Sequence, residues 1–273
     1  MTLRDLLVLV DSDAASRQRM EYALDMAARF DARVTVMALI PHPYVPAMVG
    51  VHIPPDLVQA QVREGERVAE QALRAAEEAA RAHGRPLVPL TAAGPLELLE
   101  RSFIQAAHLA DLCLVGQPDE TSIAFLAETA FLRTGRPAII VPAAGVKPGP
   151  VRRAMVGWNG SREATRAVHD ALPLLREAER TIVLSVDMPA DGETASGSDL
   201  AAHLARHGVR AEAASLPGGG LGAGDAILAR AADESIDLLV MGGYGRSRMR
   251  ELVLGGATRQ VLAQISLPTL MSH

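Results

Sequence analysis

The sequence predicts an α/β fold of two tandem open-sheet domains, each with five mainly parallel strands and helices on both faces. Short apolar runs, such as residues 6–10, alternate with longer segments whose apolar residues recur at helical spacing. The whole alternation repeats after a linker rich in Pro and Gly at residues 143–150. Because strands that alternate with helices need crossover connections, each half is expected to form a parallel sheet.

The repeat places the two predicted domains at residues 1–145 and 151–273. Residues 110–116 resemble residues 236–242, and residues 136–141 resemble residues 267–271. Each half has the length of one small domain. Two similar domains in one chain can pack as an internal pseudo-dimer. A homodimer of the whole chain is a second alternative.

Apolar runs, caps and breakers predict the individual elements. Ser161 and Asp225 are candidate N-caps, and Gly84 and Gly208 are candidate helix stops. The predicted strands are 6–10, 34–40, 86–90, 111–116, 135–142, 154–158, 181–186, 209–216, 237–241 and 267–271. The predicted helices are 16–30, 57–83, 94–107, 123–133, 161–176, 200–207, one after residue 225, and 257–264. A proline-rich loop at residues 41–56 is long enough to suggest a lid, a dimer arm or a mobile excursion.

Composition excludes several classes of protein. No apolar run approaches the length of a transmembrane helix, and the N-terminus lacks the layout of a signal peptide, so we expect a cytoplasmic protein without a membrane partner. The net charge of −5 lies in the first half, and neither half is basic enough for nucleic acid. Lys147 is the only lysine, which excludes a Walker A loop. Cys113 lies in an apolar run and is expected to be a buried thiol.

A glycine-rich stretch follows the apolar run at residues 238–241. Gly242 and Gly245 come after this predicted strand, and Gly255 and Gly256 precede a helix that begins near Ala257. Glycines after the strand would allow backbone amides to approach a ligand closely. The unpaired amides at the start of the helix would suit an anion. The alternative is that these are two ordinary strand-to-helix turns.

The spacing Gly242-x2-Gly245-x9-Gly255 resembles the ATP-binding signature of the universal stress protein family. In that signature the last glycine is followed by Ser or Thr; here Gly256 follows, and the nearest hydroxyl belongs to Thr258. The resemblance covers essentially the whole chain. It implies a Rossmann-like, adenine nucleotide alpha hydrolase-like fold, and ATP or a related adenine nucleotide, with or without Mg²⁺, in the second domain.

The resemblance also assigns the residues of this site. Asn159 stands where the family has an Asp at the end of the first strand, and Val186 stands at the end of the second strand, where backbone faces the adenine. Trp158 either stacks on the base or is a core aromatic. The predicted nucleotide-binding residues are Trp158, Asn159, Val186, Met241, Gly242, Gly245, Arg246, Gly255, Gly256, Ala257 and Thr258. No catalytic residue and no metal ligand is assigned.

The first half lacks the corresponding glycines. After Gly116 there is no glycine before Gly135 and no basic residue before Arg133. The acids of this region are Asp111, Asp119, Glu120 and Glu128. A phosphate chain would therefore meet carboxylates, so the first half is expected to be structural, with its nucleotide site lost.

Three functions stay open from the sequence. The first is a stress-response protein in which ATP bound to the second domain acts as a switch on an unidentified protein partner. The second is a nucleotide-free interaction scaffold, favoured by Asn159 and by the missing Ser or Thr. The third, a weak ATPase, is least favoured because no general base is found. A second glycine-rich stretch, residues 217–224, is interpreted as a connector.

Overall fold

The computed structural model of the chain describes residues 2–12, 14–42, 54–118, 125–188, 195–217, 222–244 and 256–273. Within these ranges the strands are β1 (Asp5–Val10), β2 (Arg33–Pro41), β3 (Leu87–Gly94), β4 (Leu112–Gly116), β5 (Ala138–Val141), β6 (Arg153–Gly157), β7 (Arg180–Val186), β8 (Ala211–Leu216), β9 (Leu238–Gly242) and β10 (Thr269–Ser272). The helices are α1 (Ala14–Phe30), α2 (Pro55–Ala82), α3 (Leu96–Ala107), α4 (Leu126–Leu132), α5 (Arg162–Leu175), α6 (Gly197–Arg206), α7 (Ala223–Asp233) and α8 (Ala257–Gln264).

All of these strands join one continuous sheet in the order β3-β2-β1-β4-β5-β10-β9-β6-β7-β8. Every pairing within a half is parallel, which confirms the predicted fold class. The two halves have the same strand order, and their fifth strands, β5 and β10, pair antiparallel. The halves therefore share a sheet, which the sequence pattern did not reveal.

The junction between the halves is short and wholly apolar in its centre. Leu270 lies opposite Ile139, and Met271 lies opposite Ala138. All four side chains are 0% exposed. Burial of these side chains favours the joined sheet, because an unpaired β5 or β10 would present apolar residues and free backbone groups to water.

Helices cover both faces of the sheet, as predicted. One core lies under α1, α2, α5 and α6, and includes Met20, Ala76 and Leu204. The other lies under α3, α4, α7 and α8, and includes Phe103 and Phe131. Among the described helices, none combines the length and the apolar character needed to cross a membrane.

A repeated aspartate explains one landmark of the sequence repeat. The Asp111 carboxylate accepts hydrogen bonds from the backbone N–H groups of Arg4 (2.7 Å) and Asp5 (3.1 Å). Asp237 accepts equivalent bonds from Arg152 (3.0 Å) and Arg153 (2.8 Å). Each aspartate thus connects the start of the fourth strand of its half to the start of the first.

Some boundaries differ from the prediction. Strand β3 continues to Gly94 because all eight of its residues pair with β2. Helix α6 begins at Gly197 because Ser196 and Asp199 form a capping box that the sequence reading missed. Most of the proline-rich loop, residues 43–53, lies outside the described residues.

The assignment of Asp225 as an N-cap is wrong. Helix α7 begins three residues earlier than this assignment implies, with Gly222 at the N-cap position. The Asp225 carboxylate instead accepts a long hydrogen bond (3.4 Å) from the Gln260 side chain of α8. Close packing of α7 on α8 decides this, since a Cβ on Gly224 would lie 2.7 Å from Gln260 Cβ.

The junction predicts a large loss of stability for Leu270→Ala. Removing a fully buried side chain should lower the free energy of unfolding by about 2–5 kcal/mol, measured by urea denaturation. Leu109→Ala is the matched control, because Leu109 is 84% exposed; its effect should stay within about 0.5 kcal/mol. Equal effects of the two substitutions would contradict the described junction.

Cys113 is fully buried in β4, and burial raises the pKa of its thiol to about 12. We expect no reaction with a thiol-specific reagent at pH 8 in the folded protein, and full reaction after denaturation. The folded pKa lies above the unfolded value of about 8.5, so this group favours unfolding only as the pH rises above that value. Rapid labelling of the native protein would show that the thiol is accessible.

Candidate functional site

The carboxyl ends of β6 and β9 define the candidate site. The chain continues from β6 to β7 on one side, and β9 lies on the other side of β6. Ligands of open parallel sheets bind outside the strand ends at such a reversal of strand order. Gly157 of β6 lies opposite Met241 of β9, so the two strands end level. Asn159 and Gly242 therefore emerge at the same edge.

The N-terminus of α8 lies at this edge, and its N-cap residue has no side chain with which to cap the helix. Gly256 is the N-cap residue, with φ −57° and ψ 143°, and it makes no side-chain cap. The first turn of α8 contains no acidic residue. Its amide groups, together with the positive end of the helix dipole, form an arrangement that suits an anion.

Thr258 connects α8 to the end of β9. Its hydroxyl accepts a hydrogen bond of 3.0 Å from the backbone N–H of Tyr244, and the residue is only 2% exposed. Thr258 was predicted to bind the nucleotide, as the hydroxyl nearest to the missing Ser or Thr of the family signature. The structure instead places its side chain inside the protein, where it joins the first turn of α8 to Tyr244 after β9.

Asn159 is exposed immediately after β6. Its side-chain oxygen accepts a hydrogen bond of 3.1 Å from the N–H of Ser161, across Gly160, which has φ +71°. Ser161 then caps α5 by accepting from the N–H of Ala164 (3.1 Å), as predicted. This turn fixes Asn159 at the carboxyl edge, where a nucleoside could reach it.

Trp158 is a core aromatic. The residue is 6% exposed, and its indole N–H donates to the carbonyl of Ala195 at 2.8 Å. A base could not stack on this ring without displacing the surrounding core. Met241 is also buried, whereas Val186 is half-buried at the end of β7.

Gly242 is required for packing, a role that the sequence reading did not assign. A Cβ at Gly242 would lie 2.4 Å from the backbone nitrogen of Ala164 at the start of α5. A Cβ at Gly243 would lie 2.4 Å from the Phe131 ring of the first half. Both glycines permit close approach of neighbouring elements, so their presence alone does not indicate a ligand.

Tyr244 joins the edge of the second half to the first half. Its hydroxyl donates to Glu128 at 2.7 Å, and its ring stacks on Phe131 with a centroid distance of 6.4 Å. Its φ of +52° is unusual for a residue other than glycine. Glu128, expected to repel phosphate in the first half, is thus a partner of Tyr244.

Three predicted site residues, Gly245, Arg246 and Gly255, lie outside the described residues. Gly256 and Ala257 lie at the start of α8, as predicted. The structure brings together the ends of β6 and β9 and the start of α8. It separates the side chains of Trp158, Met241 and Thr258, which point into the protein interior.

The corresponding edge of the first half contains a cation that the sequence reading missed. Arg19 of α1 is 0% exposed; its Nε donates to the carbonyl of Leu9 (2.7 Å) and its Nη2 to Asp11 (2.8 Å). A Cβ on Gly116 would lie 2.3 Å from Arg19 Nη1, so the guanidinium lies against the end of β4. Arg19 lies in α1 beside the core residues Met20 and Ala23, and this position in the sequence could have indicated that its side chain is buried.

The expectation that Asp111 lies with the other acids at this edge is also wrong. Asp111 lies at the opposite, amino end of β4, where it binds the backbone at Arg4 and Asp5. Asp119 and Glu120 lie outside the described residues. At this edge of the first half, the Arg19 guanidinium lies between the carboxyl ends of β1 and β4.

Comparisons with known proteins agree with this fold. Residues 219–273 match the model of the universal stress protein family. The universal stress protein Slr1230 of Synechocystis is 50% identical over 46 residues, a stretch that spans 17% of this chain and only 16% of that protein.

Two solved structures extend the similarity to the whole chain. A universal stress protein from Archaeoglobus fulgidus has a TM-score of 0.73 at 17% identity, covering 99% of this chain and 96% of its own. A protein from Pseudomonas aeruginosa described as a universal stress protein has a TM-score of 0.59 at 12% identity, covering 99% and 93%. At these identities the likeness is one of fold.

The hydrogen bond at Thr258 predicts different effects of two substitutions. Thr258→Val preserves the shape but leaves the Tyr244 N–H without its acceptor, which should cost about 1–3 kcal/mol. Thr258→Ser keeps the hydroxyl and should cost about 0.8 kcal/mol for the lost methyl group. Amide hydrogen exchange at Tyr244 separates the cases: protection should fall in the Val variant and persist in the Ser variant. Unchanged protection in both would contradict the bond.

Proposed function

We propose that the chain is a tandem universal stress protein, on the basis of the family match at residues 219–273 and of the overall fold, and that its second half binds ATP or a related adenine nucleotide. Mg²⁺ would accompany the phosphates where they remain exposed to solvent. The bound nucleotide would change contacts with a protein partner, in the manner of a cytoplasmic stress-response switch.

The observation that carries this proposal is the open N-terminus of α8 at the strand-order reversal. The N-cap residue Gly256 offers the first-turn amides of α8 no side-chain cap, and the Thr258–Tyr244 bond holds these amides beside the end of β9. Exposed Asn159 emerges from the neighbouring strand. An anion at the helix start and a ribose or base at Asn159 would together match a nucleotide.

The first half supports a stoichiometry of one nucleotide per chain. In the first half, the place between β1 and β4 holds the buried Arg19 guanidinium, paired with Asp11. Moving this cation would break its bonds to Leu9 and Asp11 and leave a buried carbonyl without its donor. We therefore assign nucleotide binding to the second half only.

A nucleotide-free interaction module is the second candidate, and two observations favour it. Gly242 and Gly243 are explained by packing against α5 and Phe131. The Thr258 hydroxyl is used inside the protein. In this alternative the glycines and the α8 turn only shape a surface that a protein partner recognises.

The nucleotide proposal is tested at Gly256, whose φ and ψ any residue can adopt. Gly256→Asp places a carboxylate at the N-cap of α8, and Gly256→Asn places an uncharged amide of the same shape. Both should keep the helix as stable as before or slightly more so. By calorimetry, ATP binding should weaken roughly tenfold or more in the Asp variant through repulsion of the phosphates, and change by about twofold or less in the Asn variant.

The wild-type protein gives the primary result. One ATP, ADP or AMP per chain is expected, either released on denaturation of the purified protein or bound by the stripped protein. Absence of both would favour the interaction module. Substitution of Gly242 is a poor test, because its Cβ would collide with the backbone of α5 and disturb the fold itself.

A further inference from the structure

A cavity lies where the linker between the halves passes the amino edge of the second half. Its volume is about 420 Å³, within the range of small-molecule sites. Its lining comes from the residues just before β6, β9 and β10, from the linker, and from Tyr22 of α1. The candidate nucleotide site lies at the carboxyl ends of these parallel strands, so the cavity is separate from it.

The linker that lines the cavity is held at both of its ends. The Gly145 N–H donates to the carbonyl of Pro142 at 2.9 Å, which closes a turn after β5. Val151, at the other end, is 2% exposed and belongs to the core under α1 and α5. The N–H of Arg152 then donates to the Asp237 carboxylate at 3.0 Å. The shape of the cavity is therefore set by the fold.

The hydroxyl of Tyr22 is buried at this cavity. Tyr22 is 3% exposed, and within the described part of the chain its hydroxyl has no hydrogen-bond partner. Burial raises the pKa of this hydroxyl well above its usual value, against the opposing charge of Arg29. The carboxylate of Asp237, another residue of the lining, contributes to the increase. A buried hydroxyl without a partner destabilises the folded state, so a ligand that supplies the partner gains free energy here.

Two cations also line the cavity. The ammonium group of Lys147 and the guanidinium of Arg152 make no ion pair with the residues that the structure describes. The Asp237 carboxylate is nearby, but its Oδ2 already accepts from the N–H groups of Arg152 and Arg153. Carboxylate and phosphate groups form the strong, charge-assisted hydrogen bonds of Lys and Arg side chains. The unpaired charges of the lining therefore favour an anionic ligand.

We propose that this cavity binds a small organic anion that also carries hydroxyl groups, in the class of phosphorylated or carboxylated polyols. Lys147 and Arg152 are exposed, so they would bind the anionic group at the solvent side. An oxygen of the ligand would supply the partner that the Tyr22 hydroxyl lacks. Ser266, which also lines the cavity, provides a further hydroxyl for the polyol.

The ligand would contact both halves of the chain. Tyr22 belongs to the first half, whereas Arg152 and Asp237 belong to the second. The halves already meet beside the cavity, because Arg29 of α1 forms an ion pair with Glu177 just after α5. A ligand that binds only the folded state would stabilise this meeting point and raise the midpoint of thermal unfolding.

The first test is calorimetry with glycerol phosphate and with glycerate, which share hydroxyl groups and differ in the anionic group. At least one of the two should bind, with one molecule per chain, and uncharged glycerol should not bind at the same concentration. Binding by only one of them identifies phosphate or carboxylate as the preferred group. Absence of binding by both at millimolar concentration, or equal binding of glycerol, would overturn the proposal.

Charge variants locate the site. Lys147→Gln and Arg152→Gln remove side chains that make no ion pair within the described ranges, and each should weaken binding about tenfold through loss of a charge-assisted hydrogen bond. Arg101→Gln changes an exposed arginine of α3 on the opposite face of the sheet and should bind as the wild type. Gly256→Asp should also bind as the wild type. Equal binding by Arg152→Gln and Arg101→Gln, or loss of binding in Gly256→Asp, would contradict this site.

Tyr22→Phe separates binding from folding. Without ligand this variant should be as stable as the wild type or more stable, because the hydroxyl has no partner to lose. It should bind the anion about threefold to tenfold more weakly. In protein labelled with fluorotyrosine, the signal that is missing from Tyr22→Phe should shift when the anion is added to the wild type. A Tyr22 signal that stays unshifted while the anion binds would overturn the proposal.

Discussion

The antiparallel pairing of β5 with β10 is the constraint on which the rest of the molecule depends. Each half has the strand order 3-2-1-4-5, so its fifth strand is an edge that must be paired or covered. In this chain the two fifth strands, β5 and β10, pair with each other, so neither of them remains an unpaired edge. The carboxyl edge of one half then lies on the same side of the sheet as the amino edge of the other.

This opposed arrangement explains the contacts that cross the junction. Gln117, at the carboxyl end of β4, donates to the carbonyls of Leu262 and Ala263 at the end of α8. In the other direction, Arg166 of α5 donates to the carbonyl of Gly135, just before β5 (2.7 Å). Tyr244, just after β9, also crosses the junction, because it contacts Glu128 and Phe131. The candidate nucleotide edge is therefore built in part on the first half.

The two halves share a fold but use their strand ends differently. In the second half the start of α5 packs directly against Gly242 and leaves an exposed Asn159 and an uncapped α8. In the first half the guanidinium of Arg19 lies against Gly116 and binds Asp11. A single long side chain thus changes which ligands could bind at an otherwise similar edge. Function therefore depends on the residues of the site and not on the fold alone.

Local signals explain why most of the fold was readable from the sequence. Continuous apolar runs marked the strands, Ser161 marked the start of α5, and Gly84 and Gly208 marked helix ends, because each of these effects acts within a few residues. The repeat of residues 110–116 at 236–242 preserved the aspartate that fixes the first strand of each half. Cys113 was expected to be buried, and it is, since its whole strand lies inside the sheet.

The sequence by itself determined the order and type of the elements and the two similar halves, and the edge at which a ligand would bind stays a prediction. Only the tertiary structure decided where individual polar side chains act. Thr258 binds Tyr244, Asp225 binds Gln260, and the Arg19 guanidinium lies against Gly116 at the end of β4. These contacts depend on how elements far apart in the chain pack against one another. No periodicity or short motif in the sequence carries that information.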